Sequence, residues 1–305
     1  MRKNALLGVA TLALLSLTSQ ANAALVVTNT TDATTLTNAL LAASSGLTID
    51  GSSINVVGGA TQQGTYAGFN LGPTTAGEPN ITIADGVVLT SGGGNFSTTQ
   101  NTSNSFSANP GTGSDADMAA ILSAAGLNST TNDKNIIEFN FTVDDPASFN
   151  AVSAQFVFAT DEFPTQSVTD GMGVFIDGIN YAFFPDGTLV SNQPGVNTGF
   201  FNNNPVGTDA TNGGYGIEWN GLSSVLTVTG LLDAAVAIHT FKLVIVDTSD
   251  TIYDSAVFFA GLKAGFTTGG GGIGDPDPIP LPAALPLMLA GLGGLGFMSR
   301  RRKTA

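Results

Sequence analysis

Between Ile137 and Val143, apolar and polar residues alternate one for one: Ile137, Phe139, Phe141 and Val143 against Glu138, Asn140 and Thr142. Successive side chains of a strand point to opposite faces, so a period of two predicts a half-buried strand. Val152, Ala154, Phe156 and Phe158 repeat it, and shorter apolar runs follow at 173–176, 179–184, 224–229, 240–246 and 256–262. Short strands at this spacing, separated by turn residues, predict an all-β fold of the β-sandwich or jelly-roll kind. One or two short peripheral helices are expected beside it. Asp32 can cap a segment that places Leu36, Ala39, Leu40 and Ala43 on one face, with Gly46 as its stop. Ser114, with Asp117 three residues on, reads as a capping box ahead of Met118 to Leu122, closed by Gly126. Residues 91–113 are rich in Gly, Asn, Ser and Thr and read as a long surface loop.

The two ends break this pattern. Arg2 and Lys3 precede an apolar stretch from Ala5 to Leu17, and Ala21-Asn22-Ala23 has the small-x-small spacing of a signal-peptidase site. That is the layout of a secretory signal, with Ala24 as the expected first residue after cleavage. At the other end an apolar run from Ala283 to Met298 is interrupted by Pro286, Gly291, Gly293, Gly294 and Gly296. A helix of that length reaches about 24 Å, against a hydrocarbon core of about 30 Å, so it is a marginal membrane span giving transient contact. Arg300, Arg301, Arg302 and Lys303 behind it would stay on the cytoplasmic side and leave the preceding chain outside. The expected organisation is a signal at 1–23, a β-sandwich domain at 24–266, a Gly/Pro linker at 267–280 and a C-terminal signal at 279–305.

The order of linker, Ile279-Pro280-Leu281-Pro282-Ala283, apolar run and basic cluster resembles the PEP-CTERM type of sorting signal, most closely its Val-Pro-Leu-Pro-Ala variant. Ile279 stands where that variant has Val, and no Pro-Glu-Pro occurs. The resemblance implies a Gram-negative secreted protein, processed by an exosortase after signal peptidase and delivered to the cell surface or an exopolysaccharide matrix. The middle of the chain resembles a second family. "ITIADGVVLTSGG" (81–93), "FVFATDEFP" (156–164) and "HTFKLVIVDTSDTIYDSAVFFAGL" (239–262) are similar to segments of the choice-of-anchor L domain, over roughly residues 33–264. Phe163-Pro164 replaces the Tyr-Pro of many relatives, and the loop after it is shorter. That resemblance implies an extracellular β-rich module with no established catalysis.

Charge narrows the functions available. Residues 24–299 hold three lysines, no arginine and all 23 acids, a net charge of −20. Nucleic acid and anionic lipid are bound through clustered Lys and Arg, so neither is an expected partner. Such a surface suits solubility outside the cell and can bind cations. With no cysteine there are no disulfides, thiolate metal sites or thiol nucleophiles. Asp161 and Glu162 follow a predicted strand, Asp170 and Asp177 flank the next, and Asp247, Asp250 and Asp254 lie between the last two. Carboxylates at strand ends can gather around Ca²⁺, which takes six to eight oxygens, or can simply cap turns, as Asp-Gly pairs do. Asp161, Glu162, Asp170, Asp247 and Asp254 are the candidate ligands. Adjacent positions on a strand face opposite ways, so at most one of Asp161 and Glu162 is expected to be buried. An alternative is a glycoside hydrolase using two of these acids, though a single Trp and four Tyr offer little sugar stacking. His239, the sole histidine, reads as a strand start, and with no Gly-x-Ser-x-Gly a catalytic triad is unsupported. The expected protein is a secreted, non-catalytic adhesion or matrix module meeting exopolysaccharide or surface proteins.

Overall fold

A computed structural model describes residues 24–73, 79–164, 168, 170–192 and 198–274. The expected secretory signal, with Ala21 and Ala23, and the C-terminal signal at 279–305 lie outside the described residues. In chain order the elements are β1 (Val26–Asn29), α1 (Ala33–Leu40), β2 (Leu47–Ile49), β3 (Asn55–Val57), β4 (Gln63–Ala67), β5 (Asn70–Leu71), β6 (Ile81–Thr82), β7 (Gly86–Thr90) and α2 (Ala116–Ala124). They continue with β8 (Thr131–Val143), β9 (Ala151–Thr160), β10 (Gly171–Ile176), β11 (Ile179–Asn180), β12 (Phe201–Asn203), β13 (Gly221–Ser223), β14 (Leu226–Leu231), β15 (His239–Thr248), β16 (Ser255–Gly265) and β17 (Gly272–Gly274).

Two antiparallel sheets form the sandwich predicted from the alternation. One runs β1-β4-β7-β16-β9, after which the free edge of β9 is shared: its first half pairs with β14, which carries β17, and its last two residues pair with β13, which carries β12. The other runs β11-β10-β15-β8, and β2 and β3 pair with separate stretches of β8. The inward residues of β8 and β15, among them Ile137, Phe139, Phe141, Phe241, Leu243 and Ile245, meet Val87, Leu89, Phe156, Phe158, Val257 and Phe259 of the facing sheet. Leu36 and Leu40 of α1 close one side of this core.

The first sheet is buried on its outer face as well. Val88, Val157, Ala159, Phe258 and Ala260 pack beneath Phe69, Ile81, Phe96, Tyr215, Ile217 and Trp219, most of them from loops and short strands. β9 is therefore buried on both faces, not half-buried as its alternation suggested. α2 covers the outer face of the second sheet, setting Met118 and Ile121 against Ile136, Phe175, Val244 and Val246.

Local chemistry moved several boundaries. Asp32 caps α1 by accepting the Thr35 N–H at 2.7 Å, but the helix ends at Leu40, well before Gly46. Leu41 turns extended and bridges to Leu262, and the Ala42 N–H donates to the Leu262 carbonyl. α2 is capped by Asp115, which accepts the Met118 N–H, and not by Ser114. Asp117 serves a different purpose: with the buried Asp115 it takes Lys242 Nζ, each oxygen at 2.7 Å, which ties the helix to β15. β11 stops at Asn180 instead of reaching 184, because the Asn180 Oδ1 accepts the N–H groups of Val174 and Ala182 and turns the chain out of the sheet.

Candidate functional site

Six strand ends meet at one end of the sandwich. Pairing of Ser255 with Thr160, Ala256 with Thr90, Gly171 with Val246 and Asp247 with Asn132 puts the ends of β7, β9 and β15 beside the starts of β8, β10 and β16. The acids that flank those ends are consequently brought together. Asp161, Glu162, Asp170, Asp247 and Asp254 are each no more than 1% exposed. Both Asp161 and Glu162 are buried, against the expectation of one: the chain leaves β9 at Thr160, so the alternation of a strand no longer applies to them. Asp177 stands apart, and Asp250 lies at the margin, where its charge helps to raise Glu162. Asp177 accepts the Thr240 N–H and contacts His239 Nδ1 at 2.7 Å at the start of β15, and Asp250 caps the turn to Ile252.

The five acids have different surroundings. Asp161 is fully matched, with Oδ2 accepting the Phe106 N–H at 2.6 Å and Oδ1 the Asn220 N–H at 3.0 Å. Asp254 Oδ2 accepts the Gly93 N–H at 2.9 Å, and Asp170 Oδ2 accepts the Ser255 hydroxyl at 2.7 Å. Asp254 Oδ1, Asp170 Oδ1, Glu162 Oε2 and both oxygens of Asp247 have no hydrogen-bond partner. The Ser91 hydroxyl and the Asp170 carboxyl lie near enough to tune Asp247, and the Ala108 amide Asp254, without reaching hydrogen-bond geometry at those oxygens.

Burial without donors disfavours ionisation. Burial pushes Asp161 up to about 7 although two backbone N–H groups oppose it, and pushes Asp254 up to about 7 against the Gly93 amide. Glu162 is pushed up to about 9, first by burial and then by the negative charge of Asp170. Asp170 and Asp247 are also raised, chiefly by burial, and Asp247 further by Asp170 beside it. Burial at this end therefore favours the protonated forms of these carboxyls. Hard cations such as Ca²⁺ take carboxylate, carbonyl and water oxygens, and Glu162, Asp170, Asp247 and Asp254 offer the unmatched ones. They are not a ready-made shell: among the described residues no three acids or histidines already stand in a metal-holding arrangement.

Other contributors were not apparent in the sequence. Ser91 accepts the Ser255 N–H and joins the cluster from the end of β7. Asp133, at the start of β8, accepts the Gly111 N–H at 2.8 Å, leaves Oδ2 unmatched and raises Asp254 further. Glu218 accepts the Thr102 and Ser103 N–H groups at 3.0 and 2.9 Å. A Cβ at Gly92 would overlap the Asp254 carboxylate, so only glycine lets that acid lie against the backbone. Gly92→Ala should destabilise the domain by about 1–3 kcal/mol, as overpacking does, measured by urea unfolding. An unchanged midpoint would mean that Asp254 does not lie there.

The fold is thus an antiparallel sandwich whose loops are pinned to a buried acidic end, with its acids turned inward. The chain belongs to the choice-of-anchor L domain family, whose sequence model matches residues 25–264. The family is one of non-catalytic surface modules, which makes this a surface-associated protein, extracellular or at the cell surface. No curated protein and no solved structure matches the chain.

Proposed function

We propose that the protein is secreted by a Gram-negative bacterium and acts by attachment at the cell surface or in an exopolysaccharide matrix. Its loops would supply the contact surface, and a divalent cation such as Ca²⁺ would stiffen the acidic end. The observation that carries the reading is family membership across nearly the whole region between the two terminal signals. The charge of −20 supports it, since it keeps the domain soluble and repels nucleic acid. Among the described residues the candidate acids do not favour the alternative of a glycoside hydrolase. Its two carboxyls would have to reach a sugar from either side of the scissile bond, yet the candidates here are at most 1% exposed. An open cavity of about 400 Å³ lies elsewhere, lined by Ile121, Ala124, Ala125, Phe183, Gly187, Thr188 and Leu189, none of them an acid.

In the same reading, Ile279 to Ala283, the apolar run and Arg300 to Lys303 form a sorting signal that an exosortase-type enzyme reads and removes. Among the described residues no helix is long and apolar enough to cross a membrane, and the run itself lies outside them. Deleting residues 279–305 in the native host should leave the domain folded but retained away from the surface, as followed by cell fractionation and surface labelling. Undiminished surface delivery of the truncated protein would overturn the sorting assignment.

A further inference from the structure

Of the three lysines in the domain, Lys242 is the one that is buried. It shares the outer face of β15 with Val244 and Val246 and pairs in register with Phe175 of β10. The Phe175 ring centroid is 5.6 Å from its Nζ. Oδ2 of Asp115 and Oδ2 of Asp117 each lie 2.7 Å from that nitrogen. The two acids are not equivalent. Asp115 is 6% exposed and fixed: its Oδ1 accepts the Met118 N–H at 2.9 Å, and its own N–H donates to the Thr131 hydroxyl at 2.9 Å. Asp117 has a side chain 61% exposed and faces water. An amine held against one immobile carboxyl, with a second carboxyl in reach of the same nitrogen, is the set of groups that amide formation needs. Holding them together supplies the proximity that free amines and carboxylates lack in water.

We propose that Lys242 and Asp115 condense to an intramolecular amide, with Asp117 as the proton relay. A proton moves from Nζ to Asp117, and the freed electron pair adds to Cγ of Asp115 to form the N–C bond. The Cγ–Oδ2 bond then breaks, and Oδ2 leaves as water carrying the relayed proton and a second one from Nζ. The ammonium and carboxylate charges cancel, one N–H remains on the amide, and no outside reagent is consumed. Oδ1 becomes the amide oxygen, so the Met118 N–H keeps its acceptor and the cap of α2 survives. Burial pulls Lys242 toward the neutral amine, but the two carboxylates outweigh it and hold the group above its usual range. The ion pair is therefore the reactant, and removal of its buried charges favours the product. The bond would close a span of 127 positions and hold the nine-residue α2 to β15 covalently, in a chain that has no cysteine for a disulfide. A helix that short has little stability of its own.

Mass spectrometry of tryptic peptides from the folded, full-chain protein is the test. A linked pair is expected, with the peptide ending at Lys134 joined through Asp115 to residues 135–263, uncleaved at Lys242. Its mass should be about 18 Da, one water, below the sum of its parts. Lys242→Arg keeps a cation for both carboxylates but offers no amine, and should release separate peptides of full mass. If that variant does not fold, fragment-ion sequencing of the wild-type pair decides instead, and a link at any residues other than Asp115 and Lys242 overturns the proposal. Asp117→Ala should slow linkage in freshly folded protein at least about tenfold, the loss expected when a proton relay is removed. Separate wild-type peptides of full mass would mean an ion pair only and overturn the bond. A water loss that persists in Lys242→Arg, or that hydroxylamine reverses, would be a succinimide at an Asp-Gly turn such as Asp177-Gly178 and overturn it equally. Linkage at an unchanged rate in Asp117→Ala overturns the relay alone.

Discussion

Phe258→Ala should lower the stability of the folded domain by about 3–5 kcal/mol, the range for removing a fully buried aromatic ring. The Phe258 side chain is 0% exposed and lies at the middle of the outer core. Its ring centroid is 4.7 Å from Phe69, 5.2 Å from Tyr66, 5.8 Å from Trp219 and 6.0 Å from Phe96. Those four rings arrive from three stretches of chain that share little other structure, so the cavity cannot be closed by moving one element. Phe266→Ala, at a ring 70% exposed, is the matching control and should change stability by less than about 0.5 kcal/mol. Urea unfolding followed by intrinsic fluorescence measures both, and a loss below about 1 kcal/mol for Phe258→Ala would mean that the outer layer does not fold with the sandwich.

The same residue shows how far the sequence could be read. Phe139, Phe141, Phe241 and Leu243 announce the inner core through a period of two, because each of their strands has a face that is less apolar than the other. Phe258 and Phe259 are adjacent, so they face opposite ways, and the one pointing outward needs a cover that no periodicity specifies. That cover is Phe69, Phe96, Tyr215 and Trp219, whose positions are set by long-range contacts of loops. The acidic end divides in the same way. Acids flanking predicted strands were legible as a group, since strand ends cluster at the ends of any sandwich. Which of them are matched was not, because the partners are remote: the Phe106 N–H that satisfies Asp161 is 55 positions away, and the Gly93 N–H that satisfies half of Asp254 is 161 positions away. The rule that neighbours face opposite sides failed at Asp161 and Glu162 because it holds only inside a strand.

In EDTA the domain should lose stability as the pH is raised from 5 to 9. An unperturbed carboxyl titrates near 4, whereas Asp161 and Asp254 are held near 7 and Glu162 near 9. Between those limits the folded protein binds more protons than the unfolded chain, so stability falls as pH rises. The contribution is fully present below about pH 4, is lost as pH passes 7 for the two aspartates and is lost last, near 9, for Glu162. A shift of three units corresponds to about 4 kcal/mol for one group, and side-chain movement and water entry reduce that, so a combined loss of a few kcal/mol is expected. General repulsion in a chain of charge −20 has the same sign, but it is screened by 0.5 M salt, whereas repulsion among buried groups is screened much less. Millimolar CaCl₂ should flatten or reverse the slope, because a cation is held by the ionised carboxylates that the apo fold disfavours. Thermal melts across this range in EDTA and in CaCl₂, each at high salt, make the comparison. Stability that rises with pH in EDTA would mean that the acids of this end are ionised and fully matched in the absence of metal, and the physical basis for a cation there would be gone.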